Sequence, residues 1–396
     1  MLWIGQLLSG TGTEIGLLAY PLLTLALTHS AVLAGAVGTA RSLTLLGLQL
    51  PAGALADRFD RRLTMIVCDV MRAVLLALLT ILIAVHLASW PVVMIVSMIE
   101  GGASALFYPA AAAALPAIVP DGQLEEAWAA TEARTYAASL AGPTLGGALY
   151  GLGQAVPFLA DALSYVASFG TASRIKGRFR PKTTERKALW HEVADGLRLV
   201  WRVPVLRAVL ILGPPLNFAF TGMIFTITLA MRQHGTPAAV IGLVQAAIAG
   251  GGLAGALVAP RLQGRLRLHT LATAMSLSGV LLLVVAALLL PSPLVALPVA
   301  LVPLLAPAGN AALFAAMFRN TPEDMRGRVN NTVNMVAMAL ATLAPLTAGL
   351  FVQHVSGPWA MGVFAAANAV AAVLCLTLRG LREADSGDAE PRDRSE

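Results

Sequence analysis

Long apolar runs with almost no charge constrain this chain more than any other feature. A helix needs about 20 residues to cross the hydrocarbon core of a bilayer, and runs of that length recur throughout the 396 residues. Divided at charges and at Gly/Pro punctuation, they fall at 2–27, 32–54, 64–86, 91–114, 125–149, 155–173, 207–231, 237–259, 269–290, 294–317, 328–351 and 358–378. Spanning strands would show short alternating segments instead, and these runs do not alternate. Helices satisfy their own backbone hydrogen bonds in lipid. The expectation is an all-α integral membrane protein of twelve helices, with the fifth and sixth spans the weakest. Composition agrees: 57% of residues are hydrophobic and 12% charged, against about 25% charged in a soluble domain.

The basic residues orient the spans. With the first running from inside to outside, 23 of the 27 Lys and Arg fall in cytoplasmic connections or the tail. Arg41, Arg72 and Arg134 lie within spans, and Arg232 stands near an outside loop. Positive residues stay inside, so both termini are expected in the cytoplasm. The net charge of +6 then reflects basic loops facing an anionic leaflet and calls for no nucleic-acid partner. Cys68 and Cys375 both fall in spans and read as small packing residues, outside any disulfide framework or metal site. The first run lacks the basic start and cleavage site of a signal peptide, so it reads as the first helix. With no Lys or Arg before Arg41, a short basic leader is expected upstream. Arg-rich, Lys-poor and Ala-rich usage is typical of a GC-rich bacterial genome, which points to a bacterial cytoplasmic membrane.

An internal repeat divides the chain. Gly53-Ala54-Leu55 recurs as Gly255-Ala256-Leu257, and Pro120-Asp121 is echoed by Pro322-Glu323, both at an offset of 202. Gly142-Pro143-Thr144-Leu145-Gly146-Gly147 meets Ala344-Pro345-Leu346-Thr347-Ala348-Gly349 at the same offset. Residues 1–173 and 207–379 thus read as two related six-helix bundles. Residues 174–206 form a basic cytoplasmic linker with an amphipathic helix expected over 188–202, and 380–396 form a disordered cytoplasmic tail. Two such halves are a transporter architecture, with the substrate site between them near the midplane.

The loop after span two reads Gly53-Ala54-Leu55-Ala56-Asp57-Arg58-Phe59-Asp60-Arg61-Arg62. It resembles the signature loop of the major facilitator superfamily, at the expected place between spans two and three. A plain basic turn is the competing reading, and spacing and position favour the signature. The resemblance implies that Asp57, with Gly53, Arg58, Arg61 and Arg62, latches the halves on the cytoplasmic side in the outward-facing state. The second-half counterpart has Ala259 or Pro260 where the acid would stand. In span five, Gly142-Pro143-x-x-Gly146-Gly147 resembles the antiporter motif of drug-exporting members, with Ala138 replacing its upstream glycine. Ordinary Gly/Pro packing is the alternative. Phe107-Tyr108-Pro109-Ala110, Leu115 to Pro120, Phe158 to Ala162 and Arg326-Gly327-Arg328-Val329 are similar to the macrolide-efflux and enterobactin-exporter branch.

Charges inside the membrane are costly and default to functional hypotheses. Glu14 in span one and Arg41 in span two reach similar depth, so a Glu14–Arg41 pair is expected. Glu100 stands mid-way along span four and Asp161 in span six. Burial of a carboxylate favours its neutral form unless a cation offsets this, the chemistry a proton-coupled exporter needs. Glu14, Arg41, Glu100 and Asp161 are therefore the coupling candidates. A structural ion pair is the other reading for Glu14 and Glu100, and an outer-end cap for Asp161. The arginine usual in span four of such exporters is absent, with Arg41 as its substitute. Asp69 and Arg72 are assigned to the charge network of the signature loop. The second half offers only Asn217, Gln245, Asn310 and Asn334, as cavity candidates or as satisfied helix contacts.

The leading reading is a proton-driven, monomeric exporter of lipophilic drug-like or secondary-metabolite molecules, needing no cofactor beyond the proton gradient and no metal. A siderophore exporter or a sugar-like symporter is the alternative within transport. A membrane enzyme or receptor is the alternative outside it. The six scattered histidines form no catalytic cluster, no phosphate-binding Gly-rich loop with lysine exists, and every outside loop is short.

Overall fold

A computed structural model of the chain describes residues 2–56, 59–119, 122–174, 197–378 and 380–381. Regular structure among them is helical throughout. The first six helices are α1 (Leu2–Thr28), α2 (Ala31–Ala56), α3 (Arg61–Ala84), α4 (Trp90–Ile118), α5 (Leu124–Leu152) and α6 (Val156–Ala172). They are followed by α7 (Pro204–Gln233), α8 (Ala238–Gln263) and α9 (Leu268–Leu289). The tenth apolar run is two helices, α10 (Ala296–Leu301) and α11 (Ala306–Arg319), and the eleventh is α12 (Arg326–Ala339) and α13 (Ala344–His354). The last is α14 (Gly357–Thr377). The twelve apolar runs thus each correspond to one helix or one broken pair.

Nine of these segments, among the described residues, are long and apolar enough to cross a membrane by themselves. The other three carry visible reasons. α1 contains the polar stretch from Ser9 to Glu14, α5 carries Glu125, Glu126, Glu132 and Arg134, and α6 has only 17 residues. Each is covered by neighbours, since α1 packs on both α5 and α6.

The breaks in the tenth and eleventh runs follow from proline. Pro lacks an N–H and its ring crowds the carbonyl four residues back. Short 3-10 turns take up the misfit at Val302–Leu304 and Leu340–Leu343, beside Pro303 and Pro345. In the second break the N–H of Leu346 turns to a neighbour and donates to Thr39 Oγ1 of α2 at 3.1 Å. The start of α3 is fixed by Asp60, whose carboxylate accepts from the N–H groups of Arg62 (2.9 Å) and Leu63 (3.2 Å), an N-cap. Most of the expected linker, residues 175–196, lies outside the described residues, as does the tail from 382. Of the amphipathic helix expected over 188–202, residues 197–202 are described and helical.

Helices α1–α6 pack mainly on one another, as do α7–α14, and the two sets meet along two lines: α5 on α8 and α2 on α13. These lines are reciprocal. A side chain at Gly35, in the second turn of α2, would overlap the Pro345 carbonyl of α13, and one at Gly242, in the second turn of α8, would overlap that of Pro143 in α5. In return, Gly349 abuts the carbonyl of Ala31 and Gly147 that of Ala238, the first residues of α2 and α8. At the same end Gln353 Oε1 accepts from Ser30 Oγ at 2.7 Å and from the Val32 N–H at 2.9 Å.

The contacts are confined to that end. The largest apolar cluster draws on both sets there, joining Leu22, Leu23 and Val37 to Met223, Ile227, Ile241 and Ala344. Towards the chain termini the clusters separate. Met65, Cys68 and Phe107 belong to one, and Leu206, Leu313, Met317 and Cys375 to another. Both cysteines are free and buried within these clusters. On the facing helices Gly47 has open space beside it and Leu257 is 71% exposed. Overpacking a close helix contact costs about 1–3 kcal/mol. Gly242→Ala is therefore expected to lower the melting temperature of the detergent-solubilised protein. Gly250→Ala on the same helix, whose added carbon would meet only Leu140 at 3.9 Å, should leave it unchanged.

Candidate functional site

Within α1–α6 the buried charges converge on one ion pair. Arg41 Nε of α2 donates to Glu100 Oε2 of α4 at 2.8 Å, with the residues 9% and 2% exposed. The neighbouring position makes room for it, because a side chain at Gly101 would press on the Arg41 backbone and Cγ at 2.9–3.0 Å. Ser104 Oγ donates towards Glu100, 3.0 Å from its carbonyl and 3.3 Å from Oε1. Tyr165 of α6 donates to Oε1 at 3.4 Å, and its hydroxyl shares a 2.8 Å hydrogen bond with Thr13 of α1. Groups from three helices, α2, α4 and α6, hold this one carboxylate, and α1 braces the tyrosine. Desolvating a charge is costly without a partner and further hydrogen bonds, and this site supplies both.

Arg72 of α3 lies beyond, with Cζ 5.0 Å from the Tyr165 ring centroid and 5.2 Å from that of Phe107. This is the geometry in which a guanidinium is attracted to ring faces. Asp69, one turn earlier, is fully buried, and neither carboxylate oxygen has a hydrogen-bond partner among the described residues. Asp161 of α6 is 1% exposed and lies against Gly12 and Gly16 of α1, accepting from Ser164 Oγ at 3.2 Å. Glu14 accepts from Ser139 Oγ of α5 at 3.3 Å, in a space left by Gly142. Arg134 donates to Gln6 Oε1 across α5 and α1. Asp69, Glu100 and Asp161 are thus buried in the same six helices as the two cations Arg41 and Arg72, while Glu14 and Arg134 are half-buried. Among the described residues α7–α14 contain no buried charged side chain.

Several expectations are corrected. Arg41 pairs with Glu100 and not with Glu14, because α2 packs face to face on α4 while Glu14 points to α5. Asp161 is not a cap: the N-cap of α6 is Ala155, with no side-chain cap, and the Asp161 carboxylate turns inward to α1. Asp69 and Arg72, assigned to the charge network of the signature loop, lie within α3, where Arg72 packs against Phe107 of α4 and Tyr165 of α6. Arg61 Nη1 donates to the Ala113 carbonyl at 2.8 Å and Arg62 Nη2 to that of Ser173, so both tie the start of α3 to other helix ends. Asp57 and Arg58 lie outside the described residues, and Gly53 is described only as part of α2.

Gly142, Pro143, Gly146 and Gly147 divide between two neighbours. Gly142 and Gly146 face Glu14 and Ile15 of α1, while Pro143 and Gly147 face α8. Of the cavity candidates, Asn217 bonds back to the Gly213 carbonyl (2.9 Å), Gln245 to Thr228 (2.7 Å) and Asn334 to Asn330 (3.3 Å), whereas Asn310 is exposed. Thr13, Ser139 and Tyr165 were not anticipated as site residues. For Tyr165 the signal was present, since it follows Asp161 by four residues and so shares its helix face. Tyr108 is a further one: 51% exposed, it stands edge-on to Phe107 at 6.0 Å, next to the Arg72 sandwich.

Comparison with known proteins adds the following. The family model described as Major Facilitator Superfamily matches residues 2–341 and 217–395. The multidrug efflux pump Tap of Mycobacterium tuberculosis is 28% identical over 374 residues, covering 88% of this chain and 85% of its own. A bacterial homologue of the iron transporter ferroportin, in its inward-facing state, superposes with a TM-score of 0.74 at 15% identity, covering 96% of this chain and 97% of its own. In its outward-facing state it superposes with a TM-score of 0.59 at 19% identity, over 96% and 98%.

Removing one partner of a buried ion pair costs about 3–5 kcal/mol, whereas replacing both with apolar groups can be neutral. Glu100→Gln should therefore lower the melting temperature markedly, and Arg41→Met combined with Glu100→Leu should recover most of the loss. Additive losses in that double-mutant comparison would show that the pair is not energetically coupled.

Proposed function

Because this chain belongs to the Major Facilitator Superfamily, we propose that it is a proton-coupled exporter of lipophilic, drug-like small molecules. It is a transporter rather than an enzyme, a multi-pass membrane protein. The observation that carries the coupled reading is the imbalance of buried charge: three carboxyls, Asp69, Glu100 and Asp161, around two cations, Arg41 and Arg72, in α1–α6, and no buried charge in α7–α14 among the described residues. Carboxyls in excess of their cations hold protons without leaving net negative charge in a low-dielectric interior. Glu100 stays paired with Arg41, so the exchangeable protons are assigned to Asp69 and Asp161, the buried carboxyls with no ion pair among the described residues.

On this reading the chain sits as a monomer in a bacterial cytoplasmic membrane with both termini inside. The end closed by the Gly/Pro lines then faces outward, and the helices stand apart towards the cytoplasm, the loading state of an exporter. Alternating access follows if the lines part as the other end closes. The half-exposed Tyr108 ring supplies an aromatic surface suited to a lipophilic substrate. The efflux activity named for the Tap relatives supports export over uptake.

Inverted membrane vesicles with an imposed pH gradient test this directly. Uptake of a lipophilic cationic dye should collapse when a protonophore is added. Asp69→Asn and Asp161→Asn should each abolish gradient-driven uptake while leaving dye counterflow intact. Normal driven uptake in both variants would refute the coupling assignment, and indifference to protonophore would refute proton drive altogether.

A further inference from the structure

We propose that the chain carries an anion site separate from the buried cluster, taking the phosphodiester headgroup of an acidic membrane lipid where α12 begins. A cavity of about 330 Å³ there is lined by Arg198, Leu199, Arg202, Met325 and Arg328. None of these lining residues is acidic. Arg198 and Arg202 stand four apart in the helical residues 197–202 that lead into α7, so they project from one side of that turn.

Arg328 is the third residue of α12, whose first turn holds no acidic side chain and whose preceding residue, Met325, makes no side-chain cap. Three guanidiniums therefore line one space. Like charges four apart on a helix repel, and a cation in the first turn opposes the helix dipole. An anion in the cavity would meet Arg202 and Arg328 with opposite charge. Arginine is the side chain best shaped for this, because its planar fork meets a phosphate with two parallel hydrogen bonds.

The surroundings identify the source of the anion. Leu197 and Trp201, in the same six residues, are 41% and 57% exposed. An exposed Trp beside arginines at the mouth of membrane-spanning helices is the composition of a bilayer interface. Leu199 and Met325 give the cavity an apolar wall against which the glycerol end of a lipid can lie. A phosphodiester that brings its own acyl chains fits both surfaces at once, and free phosphate fits only one. The inference stands apart from the proposed export activity, since no residue of the pocket belongs to the buried charge cluster.

The test uses the full chain in nanodiscs of phosphatidylcholine with or without phosphatidylglycerol, read by melting temperature and by lipid retained in native mass spectrometry. Phosphatidylglycerol is expected to raise the melting temperature of the unaltered protein. The Arg202→Gln/Arg328→Gln variant should lose that rise and hold the retained lipid at least about tenfold more weakly. It should melt with the unaltered protein in pure phosphatidylcholine, which separates loss of the site from loss of the fold. Arg265→Gln/Arg267→Gln, in the turn between α8 and α9, should keep the full response. The site is overturned if the first variant responds normally, or if the second loses the response to the same degree. Equal stabilisation by inorganic phosphate in phosphatidylcholine would overturn the assignment to lipid.

Discussion

Along α2–α13 and α5–α8, backbone meets backbone with no side chain between, and the arrangement of the whole molecule depends on those two contacts. Lipid offers no hydrophobic reward for bringing helices together, so close packing of small residues has to supply the attraction. A glycine in the second turn of one helix lies under a proline carbonyl of its partner, and a glycine one turn beyond that proline lies under the first carbonyl in return. The pattern occurs twice, once in each direction. Because both copies lie at the end of the α1–α2 turn, the apolar core is continuous there and divided at the other end. A rigid rocking motion about such lines exchanges which end is closed.

Against this near-symmetry of contacts, the chemistry is one-sided. A buried ion pair is weak evidence of stability, since apolar residues of equal volume often do as well. The Arg41–Glu100 pair is surrounded by further polar groups: Tyr165 and Thr13 from two other helices, with Arg72 held against the same tyrosine. Those connections link α1, α2, α3, α4 and α6 through one carboxylate and one ring. The same hydroxyl that reaches Glu100 belongs to the ring that holds Arg72, so a change of charge at the acid is felt at both guanidiniums.

The sequence made the spans legible because hydrocarbon thickness sets their length and charge marks their ends. The repeat was also legible, and the Pro143/Pro345 and Gly147/Gly349 matches turn out to be the residues that make the reciprocal contacts. The pairing of charges was harder to read. Position along a span gives depth, and depth put Glu14 level with Arg41. Which face of each helix those residues occupy depends on packing, and the notch left at Gly101 directs Arg41 to Glu100. Asp161 shows the same limit: its place near the start of α6 suggested a cap, while its direction towards Gly12 was set by the approach of α1.

From the sequence alone came the membrane class, the helical content, the duplicated halves, the family resemblance and the confinement of buried charge to residues 1–173. Each follows from composition, length or local pattern, which are properties of the chain in one dimension. The tertiary structure decided which acid Arg41 holds, the placing of Arg72 between Phe107 and Tyr165, the grouping of three arginines about one cavity and the end at which the halves are joined. Those depend on the rotation of each helix about its axis and on which small residue lets a neighbour approach, and neither is written in the order of residues along a single span.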